Sequence, residues 1–139
     1  MIKLFWALFI VHTIIGVGFF YLVFIDGINP VTLGNTPFPM SKTAYYPGDS
    51  LYMTVNICKK KQYSLTIYST IRDGFFIDLA PIELAGAKAG CSTINQYLGT
   101  VPKFLPPGKY NIQGKSVFHI NKFSDREIPW ETQSFIVTQ

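Results

Sequence analysis

The sequence predicts an all-β fold, an antiparallel β-sandwich of about seven strands, preceded by one N-terminal transmembrane helix. Three observations lead to this prediction: an uncharged apolar run near the N-terminus, apolar residues that alternate with polar ones through the rest of the chain, and turn-forming residues between the alternating stretches. With 139 residues, the chain has room for one such domain.

The apolar run extends from Leu4 to Ile25, 22 residues without a charge. At ~1.5 Å per residue, a helix of that length crosses the ~30 Å hydrocarbon core of a bilayer. A cleaved signal peptide is the alternative, but its apolar region is about 7–15 residues long and ends in small residues, which are missing here. We therefore expect residues 1–25 to be an uncleaved signal anchor.

The charges that flank this run predict its orientation. Lys3 precedes it and Asp26 follows it, so the positive-inside tendency keeps the N-terminus cytoplasmic and sends the rest of the chain across the membrane. In a bacterial or phage-encoded protein, that side is the periplasm. The membrane lipid around this single span is the first partner that the sequence implies.

Residues 26–40 contain three prolines, two glycines and two asparagines, "DGINPVTLGNTPFPM". Such a composition does not continue a helix and predicts a linker. The sandwich domain then occupies residues 41–139.

Period-two alternation places apolar side chains on one face of each predicted strand. The faces are Leu51, Met53, Val55 and Ile57; Tyr63, Leu65 and Ile67; Phe75, Ile77 and Leu79; and Tyr110, Ile112, Phe118 and Ile120.

The stretch "PPGKYNIQGKS" ends like a phosphate-binding loop, but five residues separate Gly108 from Gly114, where that motif has four. Its residues also alternate as a strand does. We expect Pro106 to Gly108 to form a turn and Gly114 to mark a bulge or a site of close packing. No cofactor is predicted.

Cys58 and Cys91 are the only cysteines in the chain. Outside the cytoplasm a disulfide between them is allowed, and two free thiols are the alternative. They are too few for a structural zinc site, and His119 is the only other candidate ligand in the domain. No metal site is predicted.

Lys59, Lys60 and Lys61 form the densest charge in the sequence. They are a possible contact for an anionic partner such as lipid headgroups, and a solvated turn at a strand end is the alternative. From Asp26 onward the chain has eleven basic and eight acidic residues, a balance that does not favour nucleic acid as a partner.

Ser41 and Lys42, in "PMSKTAYYPGDSLYM" behind a membrane helix, resemble the serine and lysine of membrane-anchored signal peptidases. That family uses the two residues on separate strands. Here they are adjacent, so in an extended chain their side chains point to opposite faces. We therefore expect no enzymatic activity, and an envelope-modifying enzyme or an enzyme inhibitor is the alternative.

The stretches "YYPGDSLYMTVNIC", Gly90-Cys91, "GTVPKFLPPGKYNI" and "REIPWETQSFIV" follow one another as in immunoglobulin-like or macroglobulin-type sandwich domains, which the chain resembles. With its anchor, it is also similar to small membrane-anchored bacteriophage proteins. The resemblance implies an Ig-like fold and a binding role. The buried core tryptophan of antibody domains has no counterpart, because Trp130 lies in the predicted last strand.

These features predict a membrane-tethered module that docks another protein, or gives structural support, through an exposed sheet edge or loop. A surface that binds anionic lipid is the alternative. Aromatic residues near predicted turns are the candidate contacts, although core packing is the alternative for most of them: Tyr45, Tyr46, Phe75, Phe76, Tyr97 and Phe104.

Overall fold

The computed structural model describes residues 2–22, 30–74, 76–86 and 88–139. Within these ranges the chain forms one helix and ten strands. They are α1 (Ile2–Phe20), β1 (Val31–Leu33), β2 (Ala44–Tyr45), β3 (Ser50–Lys59), β4 (Ser64–Arg72), β5 (Phe76–Asp78), β6 (Ile82–Leu84), β7 (Gly90–Thr100), β8 (Gly108–Asn121), β9 (Ser124–Glu131) and β10 (Phe135–Val137).

Helix α1 is apolar on every face, and every side chain from Lys3 to Leu22 is exposed. Residues Lys3–Phe20 are long and apolar enough to cross a membrane, a test that a signal sequence also passes. The two polar side chains in the middle of the run bond to carbonyls one turn earlier in the helix. His12 Nδ1 lies 2.8 Å from Leu8 O and Thr13 Oγ1 lies 2.9 Å from Phe9 O.

The strands form two sheets. One has the order β1-β3-β7, and the other has the order β2-β10-β8-β4-β5, with β6 also paired to β4 and β9 also paired to β8. All pairs are antiparallel except β2 with β10. The chain is thus mostly β, as predicted, but ten strands are described where about seven were expected. Five of them have only two or three residues, which is too short for a period to be visible.

Both sheets contribute to one hydrophobic core. The alternation predicted for β3 is confirmed, because its four apolar residues from Leu51 to Ile57 are all buried while Tyr52 and Asn56 between them are exposed. The predicted faces of β4 and β8 are buried as well, except that Ile120 is only partly covered. Ile77 and Leu79 pack against the rim of the core, and Phe75 lies outside the described residues.

The predicted linker is wrong over residues 30–40, and residues 26–29 lie outside the described part of the chain. The segment 31–41 runs along β3 and bonds to it, and Phe38 is buried in the core. The bonds beyond β1 join Gly34 N to Asn56 O (2.7 Å), Pro39 O to Thr54 N (2.9 Å) and Ser41 N to Tyr52 O (3.0 Å). This segment therefore covers one edge of the three-stranded sheet.

The Gly-Lys-Ser stretch lies in the middle of β8. A Cβ atom on Gly114 would lie 2.3 Å from Tyr68 O and 2.5 Å from Trp130 Cζ2, so the predicted close packing is present. The turn predicted at Pro106 to Gly108 is displaced. The hydrogen-bonded turn is at Lys103 and Phe104, and the chain only bends at Pro107 before Gly108 begins β8.

Candidate functional site

Tyr45 is not a surface contact, which corrects the sequence prediction. Its side chain is fully buried, with its ring centroid 5.3 Å from that of Phe135. Its hydroxyl lies 3.1 Å from both Ser41 Oγ and the backbone N of Lys42. Tyr45 therefore anchors the residues before β2 to the core.

The other predicted aromatic contacts are exposed but do not form one patch. Tyr46 and Phe104 lie on two turns at the same end of the domain, which are joined by a bond from Gly48 N to Val101 O. Phe76 lies on β5, with the Arg72 guanidinium 4.7 Å from its ring centroid. Tyr97 is on the outer face of β7, and Phe75 lies outside the described residues.

The three lysines after β3 are not equivalent. Lys59 is only 7% exposed, and burial lowers the pKa of its ammonium group. Lys60 and Lys61 are exposed. Lys59 is therefore not an exposed cation, and the prediction that it contacts an anionic partner is wrong. The exposed charge belongs to Lys60 and Lys61.

Cys58 Sγ lies 2.07 Å from Cys91 Sγ, the length of a disulfide bond. The two residues are direct partners on the neighbouring strands β3 and β7. Their Cα atoms are 4.0 Å apart, a spacing typical of a pair whose backbone groups do not bond to each other. The disulfide thus fixes both the pairing and its register.

Strand β7 is the open edge of the three-stranded sheet. Among the described residues it pairs with β3 alone. Its sequence, "GCSTINQYLGT", has neither a charge nor a proline over 11 residues. Natural sheets usually protect a long edge strand with such residues, because its unpaired backbone groups accept another strand.

The register identifies which backbone groups point outward. Since Cys91 belongs to a non-bonded pair, Thr93 and Asn95, two and four residues later, belong to the same class. The β3 partners of Thr93 and Asn95 are Asn56 and Thr54. Asn56 O and Thr54 N bond to the 31–41 segment on the far side of β3, so they point away from β7, as a non-bonded pair requires. The N–H and C=O groups of Cys91, Thr93 and Asn95 therefore face the open edge.

The open edge ends at Tyr97, where the Gln96 side chain donates a hydrogen bond to the Tyr97 carbonyl at 2.8 Å. Strand β9, one of the outer strands of the larger sheet, is different. Strand β9 carries four charged residues and Pro129 in eight positions, which are the features that discourage pairing. Of these two edges, only that of β7 is left open to another strand.

A hydroxyl, an imidazole and a carboxylate lie in a row across β4, β8 and β9, which the sequence analysis missed. Thr66 Oγ1 is 3.3 Å from His119 Nε2, and His119 Nδ1 is 2.9 Å from Asp125 Oδ1. Hydrolytic triads use this order of groups together with backbone donors for an oxyanion. Thr66 pairs with both Glu83 and Val117, so its own strand is hydrogen-bonded on both sides. We therefore interpret the row as structural, because it holds the end of the β8–β9 hairpin.

No group of three or more histidine, cysteine, aspartate or glutamate side chains suited to a metal ion occurs in the part of the chain that the structure describes.

A shallow groove of about 380 Å³ lies on the outer face of the larger sheet between Tyr68 and Phe76. Each of these two rings has a cation over it, Lys115 and Arg72 respectively.

No protein-family model and no curated protein matches the chain. Solved structures with partial likeness include the sporulation control protein Spo0M from Bacillus subtilis (TM-score 0.44, 15% identity), a β-glucosidase from Erythrobacter marinus (0.43, 11%) and the alkylpurine DNA glycosylase AlkC from Pseudomonas fluorescens bound to DNA (0.38, 11%). The likeness covers 81%, 78% and 79% of this chain, but 51%, 16% and 31% of those chains. The chain spans about half the length of Spo0M and less of the others, and at these scores the likenesses assign no function. The resemblance to Ig-like and phage proteins stays a prediction.

Proposed function

We propose that the chain is a membrane-tethered module with an Ig-like sandwich that docks an extended segment of another protein against the open edge of β7. The observation that carries the proposal is the uncharged, proline-free edge with outward N–H and C=O groups at Cys91, Thr93 and Asn95. A strand added there gains backbone hydrogen bonds, and the side chains of alternate residues supply specificity.

The side chains beside this edge suit a polar partner with some aromatic contact. On the outer face of the sheet, Thr93 Oγ1 bonds to Asn56 Oδ1 at 2.6 Å and Thr54 Oγ1 bonds to Asn95 Oδ1 at 2.9 Å. Tyr97 lies beside Tyr52 with ring centroids 5.4 Å apart, and both rings are about 40% exposed. These bonds hold the outer face in place before a partner arrives.

The tether is the second part of the proposal. Helix α1 is an uncleaved signal anchor, with the N-terminus in the cytoplasm and the domain on the other side of the membrane. The disulfide between Cys58 and Cys91 supports this side, because such bonds persist in oxidising compartments. A C-terminal alkaline phosphatase fusion should then be active, and an inactive fusion would reverse the orientation.

The docking edge is tested by Asn95→Pro in the full-length chain. Proline removes the outward N–H of this residue but no hydrogen bond of the β3–β7 ladder, a position that edge strands tolerate. Asn95→Ala is the matched control, because it loses the same side-chain bond to Thr54 and keeps the N–H.

Crosslinking in native membranes, with identification of the captured protein, is the measurement. The species captured by the wild-type chain should persist with Asn95→Ala and be lost with Asn95→Pro. Equal capture by both variants, with the domain folded, would refute docking through β7. A captured species that is only this chain would make the partner a second copy.

A further inference from the structure

The turn of the β8–β9 hairpin lies against the end of the apolar helix. The ring centroids of Phe19 and Phe123 are 5.6 Å apart in an edge-on arrangement. Asn121 Nδ2 donates a hydrogen bond to Leu22 O at 2.8 Å. The β domain therefore contacts α1 through a part of the chain about 100 residues away in sequence.

The conformation of this turn is fixed by its own residues. Asn121 Oδ1 accepts a hydrogen bond from Phe123 N at 2.8 Å, so one side chain both positions Phe123 and binds the helix. Below the turn, His119 and Asp125 bond across the two strands at 2.9 Å. Phe123 nevertheless remains 61% exposed. A turn held by its own hydrogen bonds thus presents an apolar ring that the protein covers only in part.

The position of Phe19 sets the depth of Phe123. Lys3–Phe20 is the segment able to span a membrane, and at ~1.5 Å per residue it is ~27 Å long, close to the thickness of the hydrocarbon core. Phe19 lies in its last turn, at the end that leads into the β domain, so insertion of α1 brings Phe123 toward the boundary between acyl chains and headgroups on that side. Aromatic rings are enriched at that boundary.

The polar groups around the turn fit the same boundary. The carbonyl of Leu22 lies just beyond the end of α1, and near hydrocarbon a backbone carbonyl needs a hydrogen-bond donor. Asn121 supplies it. Lys122, next to Phe123, is exposed, as are Lys60 and Lys61 at the same end of the domain, where Lys60 N bonds to Pro30 O. These ammonium groups match the phosphates of lipid headgroups.

We propose that the hairpin turn Asn121–Ser124 is a second membrane contact, in which Phe123 enters the interfacial layer of the bilayer that α1 crosses and Lys122 faces the lipid phosphates. The domain is then held at one orientation on the membrane surface. This inference rests on the tether of the proposed function, and it is independent of docking at β7.

Fluorescence quenching in lipid vesicles tests the depth. The full-length chain carrying Trp6→Phe and Phe123→Trp is reconstituted in phosphatidylcholine–phosphatidylglycerol vesicles brominated near either the headgroup end or the methyl end of the acyl chains. The matched control carries Trp6→Phe and Phe104→Trp, because Phe104 is somewhat more exposed than Phe123 (75% against 61%) and lies at the opposite end of the domain. The Trp6→Phe chain supplies the background from buried Trp130, whose emission also reports that each variant is folded.

Quenching of the Phe123→Trp variant should be several-fold stronger than that of the Phe104→Trp control, and stronger with bromine near the headgroups than near the methyl ends. Equal, weak quenching of both variants would overturn the inference. The chain with its natural Trp6 separates the two proposals, because Trp6 is itself quenched when α1 is inserted. If Trp6 is quenched and the Phe123→Trp variant is not, only the second contact fails; if neither is quenched, the tether fails with it.

Discussion

Gly114 is a position at which one added methyl group should strongly destabilise the domain. In Gly114→Ala the new methyl group would lie 2.3 Å from Tyr68 O and 2.5 Å from Trp130 Cζ2, far inside ordinary contact distance. The ring of Trp130 is able to shift, but the carbonyl of Tyr68 belongs to the central strand β4, which is paired on both sides. The overlap is therefore relieved only by moving β8 away from β4.

The size of the effect follows from two opposing terms. Overpacking of a dense interior costs about 1–3 kcal/mol, and the rigid carbonyl places this site at the upper end. Alanine in a strand regains about 0.5–1 kcal/mol relative to glycine, because glycine loses more backbone freedom on folding. The net loss is about 2 kcal/mol, which lowers the Tm of a domain of this size by ~8–16 °C.

Thermal unfolding of the full-length chain in detergent, followed by circular dichroism, measures this loss. Gly74→Ala is the control, because a Cβ there meets nothing within 4 Å and the cost comes only from its positive φ of 68°, ~1–2 kcal/mol. In a Trp130→Leu background the penalty of Gly114→Ala should shrink without vanishing, since the carbonyl remains. A Gly114→Ala chain as stable as wild type would refute the steric reasoning.

The disulfide and Tyr110 give two further predictions. Replacing both Cys58 and Cys91 by serine should lower the free energy of unfolding by up to about 3–4 kcal/mol, from a sequence separation of 33 residues on the chain-entropy model; urea unfolding measures it, and a wild-type chain insensitive to reductant would contradict it. Burial and the carboxylate of Asp73 raise the pKa of the Tyr110 phenol. The stability that it contributes is therefore complete below the unfolded pKa of about 10 and is lost as pH rises through the higher folded value. Tyr110→Phe should flatten this part of the stability curve, and an unchanged slope in unfolding measured at rising pH would exclude Tyr110 as its source.

Long strands were predictable because their side chains alternate. In β3 the alternation from Leu51 to Ile57 identified the buried face without knowledge of any partner strand. Strand β1 has only three residues, and it forms because the backbone of the 31–41 segment bonds to β3. Backbone groups are the same in every residue except proline, so this bonding leaves no pattern in the sequence. The prolines and glycines of the segment therefore suggested a linker and not an edge strand. The apolar residues Val31 and Phe38, which are buried in the structure, were the sign in the sequence that this segment packs against the domain.

The candidate site depended on information that no local pattern holds. Tyr45 and Tyr46 are neighbours beside the same turn, yet one is fully buried and the other is exposed, since β2 pairs with β10 from the end of the chain. The absence of charges and prolines in Gly90–Thr100 was visible in the sequence. It acquired meaning only with the strand order, which makes β7 an edge.

The position of the disulfide also has a mechanical consequence. Thr32, Cys58 and Cys91 lie in one row across β1, β3 and β7. A pulling load between the start of β1 and a strand added to β7 would cross this row. Its link from β3 to β7 is covalent, whereas β1 is joined to β3 by hydrogen bonds over three residue pairs. Under tension β1 would therefore separate from β3 first, whereas the proposed docking edge would stay covalently bonded to the strand beside it.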